Sequence, residues 1–139
     1  MCGVPAAVGC TFGDLTPTCN TSTMTQRTIL ITGAGSGFGK GAAIELAARG
    51  HVVIAATETV RQAGALAAAH PELTALTLDV TLSADVAQVA DLGVEVLINN
   101  AGLGVMAPMS TVPLDKVRAS FEVNVFGMIA MSQAVVPAM

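Results

Sequence analysis

The stretch Thr32-Gly33-Ala34-Gly35-Ser36-Gly37-Phe38-Gly39 (TGAGSGFG) holds four glycines in eight positions. It lies between the apolar run 28–32 and a segment of helical pattern. Strand, glycine turn and helix start together make the setting of a phosphate site. There the free backbone N–H groups and the helix dipole face an anion, and glycine lets the ligand come close. The spacing excludes a P-loop, which needs G-x-x-x-x-G-K-[ST]: Ala34 stands at the first glycine position, and Gly41 follows Lys40. The pattern G-x-G-x-x-G fails as well, because Phe38 and Lys40 occupy the positions of its last glycine. What remains is T-G-x-x-x-G-x-G on Thr32, Gly33, Gly37 and Gly39. A glycine-rich turn of this kind can also be purely structural, so its neighbours decide its meaning.

A two-beat rhythm surrounds the turn. Short apolar runs recur at 28–32 (TILIT), 52–56 (VVIAA) and 94–98 (VEVLI), with a weaker one at 73–78 (LTALTL). Runs this short and this apolar suit strands covered on both faces, as in a parallel sheet. Between them, 38–49 reads as a helix with Ala43, Ile44, Leu46 and Ala47 on one side and Gly50 as its stop. The Ala-rich segment 59–70 ends before Pro71. Ser83 is expected to cap a helix reaching about Leu92, with Asp85 in the first turn. A last helix is expected from Leu114, with Leu114, Val117, Phe121 and Val125 at helical spacing. The order βαβαβαβα predicts an α/β, doubly wound parallel sheet of about four strands and four helices with right-handed crossovers. The first strand is then central and the fourth lies beyond it. One edge of that fourth strand and one apolar face of the last helix are expected to be open, which favours aggregation or pairing with another chain.

Composition narrows the function classes. The 139 residues are enough for one domain with a core. Hydrophobic residues make up 53% and charged residues 12%, with a mean hydropathy of +0.68. The most apolar segment, 121–139, is interrupted by Glu122, Asn124, Ser132 and Gln133, so no transmembrane helix is expected. Net charge is −4 and the six Lys and Arg are scattered, which argues against a nucleic-acid or membrane surface. Cys2, Cys10 and Cys19 contain no CxxC pair and have no His nearby, so no metal site is expected. Their odd number argues against a closed disulfide set. The AVGC ending at Cys10 is faintly like a lipoprotein cleavage site, yet no Lys or Arg precedes it and the apolar stretch is short. Asn20-Thr21-Ser22 fits a glycosylation acceptor only in a secreted chain. Residues 1–25 are expected to be a disordered leader, with Met24 a natural start, and 26–139 the folded part. A cytoplasmic location is expected.

Two more motifs close strands at the same edge of the sheet. Asp79 in LDVT (78–81) ends the third, and Asn99-Asn100-Ala101-Gly102 ends the fourth. Open α/β sheets bind ligands at that edge. Asp79 can accept from an exocyclic amine such as that of adenine, or serve only as a turn residue. The Asn-Asn-Ala-Gly segment can equally be a plain turn.

With TGAGSGFG, LDVT, NNAG and FEVNVFG in order over roughly 27–139, the sequence resembles the amino-terminal half of a short-chain dehydrogenase/reductase (SDR). The resemblance implies an incomplete, Rossmann-type NAD(P)-binding domain. It places Gly33, Ser36, Gly37, Phe38 and Gly39 around the pyrophosphate and adenosine ribose. Asp79 and Val80 would flank the adenine, and Asn100, Ala101 and Gly102 the ribose side of the cofactor. Asn124 would be the family's helix Asn, which holds a water in the proton relay; otherwise it is a buried polar residue in need of a partner. For NAD or NADP, the second strand ends in Ala56, Thr57 and Glu58, and no Arg stands in the loop or at that strand end, which favours NAD. Glu58 lies one or two positions beyond the family's acid, and could instead satisfy a helix dipole.

The family's chemistry rests on a Ser and a Tyr-x-x-x-Lys pair, and this sequence has no Tyr. Lys116 and Ser120 precede Asn124 and do not match that motif. The expectation is a partial oxidoreductase, catalytically inactive alone. Its family reaction is hydride transfer between an alcohol and a carbonyl, and its full-length relative a homo-oligomer. The alternatives are a non-catalytic dinucleotide-binding module, or an unrelated α/β domain binding a nucleotide sugar or methyl donor. Met106, Met109 and the loop around Pro108 would border an apolar substrate pocket.

Overall fold

In a parallel sheet, successive side chains of each strand point to opposite faces, and both faces must be covered. That requirement explains the unbroken apolar runs. The computed structural model describes residues 25–139; Cys2, Cys10, Cys19, Asn20 and Met24 lie outside the described residues. Its strands are β1 (Thr28–Ile31), β2 (Val52–Thr57), β3 (Thr74–Thr77) and β4 (Val96–Ile98). All pairings are parallel, in the order β3-β2-β1-β4, as the sequence predicts. Ile29, Ile31, Val53 and Ala55 pack on one face with Ala43 of α1 (Gly37–Ala48) and Leu66 of α2 (Val60–Ala69). Leu30, Ile54 and Ala56 pack on the other with Val86 of α3 (Ser83–Ala87) and with Met131 and Val135 of α5 (Met128–Val135). Each fully buried side chain such as Leu30 stabilises the fold by roughly 1.5–3 kcal/mol.

Local signals end and start the helices. After α1, Gly50 takes φ +89°, its N–H donates to Ala47 O at 2.9 Å, and the His51 N–H donates to Leu46 O at 3.2 Å. These two bonds satisfy the carbonyls of Leu46 and Ala47 in the last turn of the helix. Before α2, the Thr59 hydroxyl accepts from Gln62 N–H, and the Gln62 side chain accepts from Thr59 N–H, both at 3.2 Å.

The second half departs from expectation. Ser83 is the first helical residue rather than the cap; Leu82 holds the cap position, and α3 stops at Ala87 instead of about Leu92. Turns follow, tightened by i→i+3 bonds such as Leu92 N–H to Val89 O at 3.3 Å. The last helix is also divided: α4 (Leu114–Phe121), a π-helical segment (Glu122–Gly127), α5, and a 3₁₀ turn (Val136–Ala138). The stripe expected from Leu114 to Val125 is not its buried face. Leu114 and Phe121 are exposed, and burial falls on Gly127, Met131 and Val135. By length and composition alone the run Leu114–Ala138 could cross a membrane. Glu122, Asn124, Ser132 and Gln133 interrupt its apolar surface, and Met131 and Val135 pack on the sheet. Phe126, Met128, Ile129 and Val136 remain exposed, and among the described residues β4 pairs only with β1.

Candidate functional site

The chain steps outward from β1 to β3, then crosses back to place β4 on the other side of β1. Connections leaving β1 and β4 therefore diverge and open a crevice at the carboxyl edge of the sheet. A cleft of about 340 Å³ lies there. After β1 it is lined by Gly33, Gly35 and Ser36; after β2 by Glu58, with Gln62 from α2. The segment after β3 supplies Leu78, Asp79 and Val80, that after β4 supplies Asn100, Ala101, Gly102 and Leu103, and the helical layer supplies Val123.

Hydrogen bonds fix the rim between β1 and β4. Buried Thr32 accepts on its hydroxyl from the N–H groups of Asn100 and Ala101, each at 3.0 Å, and its own N–H donates to Ile98 O at 3.0 Å. The Asn100 amide nitrogen donates to Thr32 O at 3.0 Å and Gly33 O at 3.2 Å. Asn100 thus uses its donors inside the protein, as a brace for the glycine turn. Two glycines serve the same brace. Gly33 has φ +68°, and a Cβ there would lie 2.8 Å from Ala101 Cα. A Cβ on buried Gly39 would run into the Asn100 amide nitrogen and lie 2.7 Å from Gly33 O. Gly37, at φ +56° with open space around it, turns the chain into α1 and keeps the approach clear. Gly37 and Gly39 are not among the cleft-lining residues, and Phe38 is 94% exposed beside them.

Ser36 is the N-cap of α1, yet its hydroxyl makes no capping bond, and the first turn holds no acidic residue. The leading N–H groups and the positive end of the helix dipole stay uncompensated, which suits an anion.

The rim after β3 is built differently. Asp79 Oδ1 accepts from the Thr81 N–H at 2.9 Å and the Thr81 hydroxyl at 2.7 Å. The Asp79 N–H donates to Asp85 Oδ2 at 2.9 Å. This Asx turn leaves Oδ2 of Asp79 without a donor among the described residues. Glu58 is exposed at the end of β2. A neighbouring groove of about 250 Å³ shares Gly35 and Gln62 with the cleft and is lined by Lys40 and Arg61.

Asn124 lies outside the cleft, in the π-helical segment, and is exposed rather than buried. Its Oδ1 accepts from Leu103 N–H at 2.7 Å, and its Nδ2 donates to Leu103 O at 2.9 Å and Ser120 Oγ at 3.1 Å. The Ser120 hydroxyl also donates to Leu103 O, at 2.9 Å. Asn124 therefore reaches the cleft through Leu103. Met106 and Met109 are exposed and do not line it. Gly35, Gln62, Leu78, Leu103 and Val123 are lining residues beyond those the sequence assigns to the site; Gly35 lies within the glycine stretch itself, and the T-x-x-Q capping pattern at Thr59–Gln62 is the signal for Gln62.

Residues 27–139 match the family model of the short chain dehydrogenases. The chain is 38% identical over 125 residues to an uncharacterized oxidoreductase of Bacillus subtilis, covering 82% of this chain and 44% of that one. A crystal structure of a short-chain dehydrogenase from Streptomyces avermitilis superposes with a TM-score of 0.75 at 34% identity, over 83% of this chain and 44% of that one. A serine dehydrogenase complexed with NADP+ gives a TM-score of 0.75 at 29% identity, over 81% of this chain and 48% of that one. The chain spans less than half the length of each of these relatives. By its matched residues, its sheet order and the glycine turn that opens α1, the chain belongs to the short-chain dehydrogenase family.

Proposed function

We propose that the cleft binds a nicotinamide dinucleotide, and that the chain forms the cofactor-holding part of an oxidoreductase acting between a small-molecule alcohol and its carbonyl. One observation carries this. A single cleft gathers an uncapped helix start, a glycine turn and a carboxylate oxygen without a donor among the described residues, all at the ends of parallel strands.

The residues fit such a cofactor. The Ser36 hydroxyl and the first N–H groups of α1 would hold the diphosphate. Asp79 Oδ2 would accept from the adenine amine, with Val80 against the ring. Glu58 would accept from the ribose hydroxyls, which favours NAD. Ala101 and Gly102 leave room along the nicotinamide ribose, and Asn124 holds Leu103 in place. When bound, the nicotinamide supplies the hydride chemistry. The family's Ser and Tyr-x-x-x-Lys have no counterpart in these 139 residues, so we propose that they do not complete turnover alone.

The test is titration with NADH, followed by the emission of the nucleotide, which no Trp obscures. Saturable binding, weakened by Asp79→Ala, is expected. A folded chain that leaves NADH emission unchanged would remove the proposal. Carbonyl-dependent NADH oxidation by the purified 139 residues would remove the claim of incompleteness. A second reading, NADP, is favoured by Lys40 and Arg61 in the adjoining groove. It requires NADPH to bind more tightly than NADH, with that preference lost in Arg61→Ala.

A further inference from the structure

Gly127 ends the π-helical segment with φ −60° and ψ −44°, ordinary helical values that any residue adopts. Its backbone does not ask for glycine; its neighbour does. A Cβ on Gly127 would lie 2.6 Å from Val80 Cγ2, 3.0 Å from Val80 Cβ and 3.2 Å from Glu122 O. Carbon atoms in contact normally sit about 3.5–4.0 Å apart, so no side chain fits there unless Val80 moves. Val80 is buried and lines the cleft beside Asp79. The side-chain bonds of this loop are internal to it and to α3: Thr81 to Asp79, and Asp79 to Asp85. They set its shape and leave its distance from the long helical layer to packing.

We propose that Gly127 is a positioning residue for the dinucleotide site, a seat that fixes Val80 and Asp79 at the adenine end. Three residues earlier, Asn124 clamps Leu103 at the opposite rim. One short segment, wider in winding than an α-helix, thus sets the separation of the two rims. The proposal rests on the dinucleotide reading of the cleft.

Gly127→Ala, Val80→Ala and the double variant test it in the 139-residue chain. NADH affinity is read from nucleotide emission, and the loop from the backbone amide shifts of Asp79 and Thr81 without nucleotide. Gly127→Ala is expected to move both amides and weaken NADH binding by at least about tenfold, because an overpacked site relieves itself by shifting the backbone. Val80→Ala alone should weaken binding less than about threefold, and adding it to Gly127→Ala should restore affinity to that level. Unmoved amides in Gly127→Ala, or a double variant as weak as Gly127→Ala, would overturn the seat. If Gly127→Ala does not fold, the double variant decides: folding with restored affinity supports the seat, and failure to fold overturns it. Wild-type protein that does not bind NADH would defeat the cofactor reading, while the amide shifts still report on the Gly127–Val80 contact.

Discussion

The two rims of the cleft are held by different forces. Between β1 and β4, Thr32, Gly33, Asn100 and Ala101 are joined by bonds of 3.0–3.2 Å. After β3, the loop closes on itself through Asp79 and Thr81 and rests on Gly127 by packing. Hydrogen bonds are directional, and removing one partner leaves the other unsatisfied. Packing contacts depend on volume, and a clash introduced on one side can be relieved on the other. The hydrogen-bonded rim therefore fixes the orientation of the glycine turn, where a diphosphate would need aimed N–H groups. The packed rim fixes a distance, which is what a flat ring needs. The first rim should resist rescue by a second substitution, whereas the packed rim should permit it.

The largest break in that contrast is expected from Gly33→Ala. It forces a left-handed φ on a residue with a Cβ and drives that Cβ against Ala101 Cα. The two penalties together amount to about 2–6 kcal/mol. Denaturant unfolding should show that loss, together with loss of NADH binding. A loss below about 1 kcal/mol would mean that the turn relaxes freely and is not braced. Next comes Asn100→Ala, which strips a donor from the carbonyls of Thr32 and Gly33. A cost of about 1–3 kcal/mol is expected, with NADH weakened in step. Restoration of both by Gly39→Ala, which would fill the vacated space, would erase the difference between the rims.

Much of the packed frame was legible because its causes are local. TILIT and VVIAA declare strands buried on both faces, Gly50 declares a helix end, and the chain order fixes the switch point between β1 and β4. What stayed hidden depends on partners distant in sequence. That Asn100 braces the turn follows only once β1 and β4 are neighbours, 68 residues apart along the chain from Thr32 to Asn100. The π-helical winding has no signature in EVNVFG itself; Gly127 makes its demanding contact with Val80 in another element. The spacing of Leu114, Val117 and Phe121 announces an apolar stripe but not what covers it, and in this fold Leu114 and Phe121 face outward. The shortness of α3 was hidden too: Asp85 lies in its first turn as expected and also accepts from the Asp79 N–H, but residues that start a helix do not say where it ends.

A smaller effect sharpens the hydrogen-bonded side. Ser120→Ala removes one donor to Leu103 O and one acceptor for Asn124 Nδ2, while both Asn124–Leu103 bonds remain. A loss of about 0.5–1.5 kcal/mol is expected, with Asn124→Ala costing more. Equal losses would show that Ser120, not Asn124, carries the clamp.

The smallest effect belongs to the amino edge of the sheet, away from both rims. The Glu95 carboxylate accepts from the Thr28 N–H at 2.9 Å and from Arg27 Nη1 at 2.9 Å. The Thr28 bond, aided by the Arg27 bond and charge, holds its pKa below the ordinary carboxylate value, against an opposing contribution from desolvation. A carboxyl with a lower pKa folded than unfolded stabilises the fold above the unfolded value and loses that contribution as pH falls through the folded one. The pair is exposed, so the contribution is small. Glu95→Gln should lower the Tm slightly at neutral pH, and the gap to wild type should close as acid protonates Glu95. NADH affinity should not change, because neither rim is touched. A gap that widens in acid would reverse the assigned direction of the shift. A change in NADH affinity would show that the cleft responds to the far edge of the sheet, so that neither rim is set by its own contacts alone.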